Sequence, residues 1–189
     1  MLPSRSALVA AARSYGAVVL LLLSACTPAD PALGQYVGDE VAHNDFEAVR
    51  GWGSADTTSL TTTHAHSGRF AVVVDARREK GFAYDAALHN ASVHPLRAVE
   101  VEAWVNLPSA RADAALSLQL WPANGSPPTH YDQLRLLDQV TQFNQWVPVH
   151  ALFKLPAGLG DDDRLRIFLW RSASAEPVYL DDIRVKARE

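Results

Sequence analysis

The sequence predicts an all-β fold: an antiparallel jelly-roll β-sandwich over residues 43–189, behind an export segment and a flexible stretch. Three observations carry this expectation. Short runs alternate strictly between apolar and polar residues, as in Val99-Glu100-Val101-Glu102-Ala103-Trp104-Val105 and Leu116-Ser117-Leu118-Gln119-Leu120-Trp121. Clusters of turn residues separate the runs, among them Ser67-Gly68, Asn124-Gly125-Ser126-Pro127-Pro128 and Pro156-Ala157-Gly158-Leu159-Gly160. After residue 26 no segment carries a long 3.6-residue period, so long amphipathic helices are excluded.

The elements follow in order. Residues 1–25 hold Arg5 and Arg13, no acidic residue, and the apolar run Ala17–Leu23 ending in Ser24-Ala25. A basic start, a short apolar core and small residues at the end make a secretory signal. The run is too short to cross a bilayer, which takes roughly 20 residues. Residues 26–42, rich in Pro, Ala, Gly and Asp, read as a tether. Strands are then expected at 69–75, 82–88, 98–105, 115–121, 131–137, 146–153, 164–171 and 177–186, with 43–47 as a further edge strand. A jelly roll pairs them in the order 69–75, 177–186, 98–105, 146–153 in one sheet and 82–88, 164–171, 115–121, 131–137 in the other. Alternation points Val99, Val101, Ala103, Val105, Leu116, Leu118, Leu120, Leu165, Ile167 and Leu169 into the core. Gln119, Trp121, Arg166, Phe168 and Trp170 then point outward from the second sheet.

Removing residues 1–25 leaves 164 residues, enough for one domain with its own core, and moves the net charge from −4 to −6. A mildly acidic surface argues against a nucleic-acid partner. Cys26 is the only cysteine, so no disulfide can form within one chain, and no Cys/His cluster has zinc spacing.

Leu23-Ser24-Ala25-Cys26 resembles the bacterial lipobox. The resemblance implies a diacylglycerol thioether on Cys26, cleavage before it and acylation of the new amino terminus, so that lipid tethers the domain to a membrane. Thr27 in place of aspartate favours the outer over the inner membrane of a bacterial cell envelope. The domain carries, in order, Asn44-Asp45-Phe46-Glu47, His66-Ser67-Gly68-Arg69, Glu102-Ala103-Trp104-Val105, Trp146-Val147-Pro148-Val149 with Phe153-Lys154-Leu155-Pro156, and Tyr179-Leu180-Asp181-Asp182-Ile183. On these motifs it resembles the carbohydrate-binding-module type of galactose-binding-like jelly-roll β-sandwich. In that family an opening glutamate and a closing aspartate hold a structural Ca2+. The resemblance therefore implies Glu47 and Asp181 as ligands, helped by carbonyls from Ser67 to Arg69.

The outward row has the character of a sugar site. Trp121, Phe168 and Trp170 offer flat apolar platforms, Gln119 and Arg166 offer hydrogen bonds to hydroxyls, and Tyr131 or Gln133 extends the row. The competing reading makes these aromatics packing beneath a loop. Trp146 is expected in the core, Trp104 beneath a covering segment, and Trp52 either capping the sandwich or touching ligand. His130-Tyr131, His64 with His66, and Asp161-Asp162-Asp163 come without a nucleophile elbow or paired carboxylates, so no catalytic residue is assigned. The expected function is a non-catalytic, membrane-anchored lipoprotein that binds a polysaccharide or glycan. The alternative is a structural or assembly lipoprotein that holds a protein partner in the envelope.

Overall fold

The structure, a computed structural model, describes residues 39–48, 52 and 57–188. The expected signal peptide, Cys26 and residues 27–38 of the tether lie outside the described residues. The strands are β1 (Glu40–Asn44), β2 (Leu60–Thr61), β3 (Ala71–Val74), β4 (Tyr84–Ala87), β5 (Ala98–Asn106), β6 (Ala114–Trp121), β7 (His130–Arg135), β8 (Trp146–Lys154), β9 (Arg164–Arg171) and β10 (Val178–Arg188). One sheet runs β2-β3-β10-β5-β8, with β1 also on β10, and the other runs β4-β9-β6-β7. Every pairing is antiparallel. This is the expected jelly-roll order for the eight main strands, with the unexpected two-residue β2 added beside β3.

The period-two pattern explains the core. Leu116, Leu118 and Leu120 of β6 and Leu165, Ile167 and Leu169 of β9 face Val99, Val101, Ala103 and Val105 of β5, all buried. Each large aliphatic chain removed from water contributes about 1.5–3 kcal/mol. One end of the sandwich is plugged by aromatics in edge contact: Trp52 against Phe46 at 6.3 Å and against Tyr84 at 5.1 Å, and Phe46 against Phe82 at 6.4 Å. Trp52 therefore caps the core. Burial in this plug pushes the Tyr84 phenol up from its ordinary range.

Three departures from the expected elements have local causes. The edge strand begins at Glu40, inside the expected tether, and ends at Asn44 instead of residue 47. There the Asn44 side-chain oxygen accepts the Phe46 N–H at 2.7 Å, and Phe46, at φ 60°, turns its ring inward. The strand expected over 131–137 stops at Arg135, because a 3-10 turn over Leu136–Asp138 carries Leu136 into the core. The strand expected over 82–88 gives way to a single helical turn, Leu88–Ala91.

Strand β10 organises the larger sheet. β5 flanks one side of it throughout, while the other side is shared by β3, at Val178–Leu180, and β1, at Ile183–Lys186. At the changeover the register against β5 shifts and Asp182 takes φ 47°, the signature of a bulge. The bulge places Asp181 and Asp182 beside the 66–70 turn. At the far edge, Pro148 sits in β8, where a missing N–H is tolerated, and the Gln139 amide bonds both the N–H and the carbonyl of His150.

Candidate functional site

The outer face of β4-β9-β6-β7 is built in rows by the strand register. Asp85, Arg166, Gln119 and Tyr131 stand in one row, and Arg164 and Trp121 in the next. Two rows along in the opposite direction lie Trp170, Ala115 and Arg135, with Phe168, Ser117 and Gln133 between. The small Ala115 and Ser117 of β6 leave room above them. Across that gap the rings of Tyr131 and Trp170 meet edge to face at 5.8 Å.

A polar frame fixes the aromatic groups. Gln119 Oε1 accepts the Trp121 indole N–H at 3.0 Å, which orients the ring and leaves the amide nitrogen as a donor. The Arg166 guanidinium lies 4.5 Å from the Trp121 ring centre. Its Nε donates to Asp85 Oδ2 at 2.8 Å, while Arg164 Nε donates to Asp85 Oδ1 at 2.7 Å. Tyr131, 41% exposed, donates its hydroxyl to Gln133 Oε1 at 2.6 Å. The Trp170 indole N–H and the Ser117 hydroxyl are buried without a hydrogen-bond partner among the described residues.

Five of the six residues expected to bind glycan thus stand together, partly or fully accessible: Trp121, Trp170, Gln119, Arg166 and Tyr131. Phe168 does not. It is only 5% exposed, because the segment Glu79–Gly81 runs along β9 beside it and Lys80 places its ammonium 5.6 Å from the ring centre. Phe168 is packing. Sequence reasoning also missed Lys80, Asp85 and Arg164. Arg164 alternates with Arg166 and was readable as outward, whereas Lys80 and Asp85 reach the face only through tertiary pairing.

The opposite sheet carries the remaining aromatics, covered by the loop before β3. His66 stacks on Trp104 at 4.1 Å and His64 stacks on Trp146 at 5.5 Å, with Tyr179 5.1 Å from His64. Trp104 is therefore roofed, as expected. Trp146 is half-buried on this outer face rather than in the core. Beside them a cavity of about 650 Å³ is bounded by Glu102, Trp104, Gln139, Pro148, His150 and Arg184. Its charged groups already have partners: Lys186 on Glu102, Glu100 on His150 and Glu40 on Arg184. The Lys186 ammonium holds the Glu102 carboxyl below its usual range. His130 points to the inner side of β7, opposite Leu120, so it does not share a face with Tyr131. Asp163 accepts the N–H of Gly160 in its own loop and that of Ala123 in the loop after β6.

The residues with an expected calcium role form a clasp. Asp181 is fully buried; its Oδ2 accepts the N–H groups of His66 and Ser67 at 2.8 and 3.1 Å, and its Oδ1 accepts the Asp182 N–H at 2.8 Å. Glu47 Oε1 accepts the N–H groups of Arg69 and Phe70 at 2.6 and 2.7 Å. A Cβ on Gly68, which sits at φ 55°, would come within 2.5 Å of the Glu47 carboxylate, so only glycine lets the turn close on it. Calcium asks for six to eight oxygen ligands. Here N–H groups engage both oxygens of Asp181 and one of Glu47, so a calcium ion would have to rely on the second Glu47 oxygen and the carbonyls of the turn. The expected outcome of a thermal melt is the same midpoint with and without EDTA; a fall in midpoint on chelation would restore the calcium assignment.

With this geometry in hand, comparison with known proteins is informative about the fold. No family model matches the chain, and no curated protein matches it. Solved structures do. The CBM22-1 xylan-binding domain of Paenibacillus barcinonensis Xyn10C superposes with a TM-score of 0.52 at 19% identity, covering 80% of this chain and 96% of that one. The C-terminal family 22 carbohydrate-binding module of Clostridium thermocellum Xyn10B gives 0.51 at 14% identity, covering 78% and 92%. The fold is a jelly-roll β-sandwich similar to that of these carbohydrate-binding modules. Within that fold the outer face of β4-β9-β6-β7 is one of two broad sheet faces, and it is the one whose aromatic rings are not roofed by the loop before β3. At these identities the likeness concerns architecture, and function has to be argued from the side chains.

Proposed function

We propose that the chain is a lipid-anchored, non-catalytic glycan-binding module that holds its ligand on the outer face of β4-β9-β6-β7. One observation carries this reading: Trp121 and Tyr131, both accessible, flank Gln119 and Arg166 on a single strip of sheet. A sugar ring has apolar C–H faces and a rim of hydroxyls. An indole and a phenol supply the apolar surface, and an amide and a guanidinium supply donors fixed in direction by their own partners. The xylan-binding domains that share the fold support the same class of ligand. The test is affinity electrophoresis of the full-length protein, purified in detergent, in gels containing xylan, mannan, β-glucan or pectin. Retardation in at least one gel, lost in Tyr131→Ala, is the expected result, and free migration in every gel would overturn the proposal.

The anchor is the second part of the proposal and rests on Leu23-Ser24-Ala25-Cys26. A single acyl chain binds a membrane only marginally and two or more bind stably, so a lipidated Cys26 would set where the module works, in the cell envelope and by preference at the outer membrane. Growth with labelled palmitate should label the wild-type protein and leave Cys26→Ala unlabelled. Equal labelling of the two, or none in the wild type, would contradict the anchor.

A further inference from the structure

Charge on the glycan-facing sheet runs against charge on the rest of the molecule. The chain as a whole carries −4. The outer face of β4-β9-β6-β7 presents Arg164, Arg166 and Arg135, and Lys80 reaches onto it over Phe168. The carboxylates paired with these cations are Asp85, shared by Arg164 and Arg166, and Asp113, which holds Arg135 at 2.8 Å. Asp132, the acidic residue of β7, belongs to the inner side by alternation. Against the two carboxylates ion-paired to them the four cations leave a surplus of two, and of one once Asp138, which acts on Arg135 from the neighbouring 3-10 turn, is counted. A patch whose sign opposes the net charge concentrates ligands of the complementary sign.

The distribution of donors localises the surplus. Asp85 receives the Nε of each arginine, so its two oxygens are already engaged. Arg166 makes its carboxylate bond through Nε alone, and its guanidinium is held against the Trp121 ring. Its terminal nitrogens are therefore donors beside the platform on which a sugar ring would lie. Lys80 is exposed, and its ammonium has an aromatic ring but no ion-pair partner among the described residues. A guanidinium with free terminal N–H groups is suited to a planar anion, and an ammonium to a point charge.

We infer that the ligand of this face is an anionic glycan, one whose sugars carry carboxylate or sulfate groups, read by Arg166 beside Trp121 and by Lys80 beside Trp170. This rests on the glycan-binding reading above and narrows it. The test uses the full-length protein in detergent and paired polymers that differ in charge: polygalacturonate and its methyl ester, glucuronoxylan and its carboxyl-reduced form, dextran sulfate and dextran. The first two pairs report carboxylate recognition and the third reports sulfate. In at least one pair the charged member should bind about tenfold more tightly, the scale of one charge-assisted hydrogen bond. The Lys80→Gln, Arg166→Gln double variant should bring the two members within about twofold. Trp121→Ala should weaken binding of the charged member as well, which separates recognition from simple ion exchange, and Arg184→Gln on the opposite sheet should change nothing. Binding without preference for the charged member, or a preference that survives the double variant, would overturn the anionic assignment and leave the glycan site standing. Absence of binding to all six polymers and to neutral xylan would remove the glycan site itself, and the anionic assignment with it.

Discussion

Replacing Asp181 by alanine is expected to cost about 3–5 kcal/mol of stability. The carboxylate is fully buried at the bulge of β10 and satisfies three backbone N–H groups, those of His66, Ser67 and Asp182. Alanine removes all three acceptor contacts and leaves three part-buried N–H groups without their acceptor. The 66–70 turn would lose one side of its clasp, with Glu47 alone on the other. Because the 62–66 stretch also roofs Trp104 and Trp146, loosening the turn would expose those rings and raise tryptophan fluorescence changes early in unfolding.

Asp181→Asn should be milder, about 1–2 kcal/mol, since its amide oxygen can take the Oδ2 position and keep the His66 and Ser67 N–H groups. The comparison also has a pH signature. Burial pushes the Asp181 carboxyl above its ordinary range, against the opposing pull of the N–H groups of Ser67, Asp182 and His66. A group with a raised folded pKa contributes stability that is fully present below its unfolded pKa and is lost as pH rises through the folded value. The advantage of the wild type over Asp181→Asn should therefore be widest in acid and narrow as pH rises. Urea unfolding at intervals between about pH 4 and pH 8 measures it. A loss below about 1 kcal/mol in Asp181→Ala would contradict the clasp, and an advantage that widens with pH would contradict the dominance of burial over the N–H bonds at this carboxyl.

The second large effect falls on binding. Trp121→Ala should weaken glycan affinity by about 2 kcal/mol, roughly thirtyfold, as removal of a central aromatic anchor commonly does. Trp121 is held by Gln119 and stacked by Arg166, so its loss also frees Gln119 from its fixed direction, while Asp85 still holds Arg166. The ring lies at the end of β6 and is only partly buried, so stability should change by less than about 1 kcal/mol. Affinity and folding are thereby separable in one variant.

The sheets were readable from sequence because a two-residue period is a property of the strand itself. Leu116, Leu118 and Leu120 announce an inner face, and Gln119 and Trp121 announce the outer one, before any partner strand is known. Turn residues supplied most strand limits; the exceptions were Asn44, whose side chain ended β1 early, and the helical turns at Leu88–Ala91 and Leu136–Asp138. Groups recruited from elsewhere had no such signature. Phe168 alternates outward, yet Glu79–Gly81, a segment without alternation, lies beside it and buries it. Asp85 reads as one acidic residue in a short strand, and only its antiparallel register with Arg166 makes it the centre of an ion-pair cluster. Trp146 sits at a motif position that suggests the core, but its stacking partner His64 comes from a loop more than eighty residues earlier. Glu47 and Asp181 were singled out as calcium ligands; in the structure both accept backbone N–H groups of the 66–70 turn, partners that carry no side-chain signal at all.

The most direct test of the central claim sets the two sheet faces against each other. Trp121→Ala removes an aromatic from the outer face of β4-β9-β6-β7, and Trp104→Ala removes one from the roofed face opposite. Both would be compared with wild type by affinity electrophoresis in the polysaccharide that retards the wild type most. Retardation lost in Trp121→Ala and kept in Trp104→Ala is the predicted result. Retardation kept in Trp121→Ala and lost in Trp104→Ala would place the ligand on the other sheet and contradict the account.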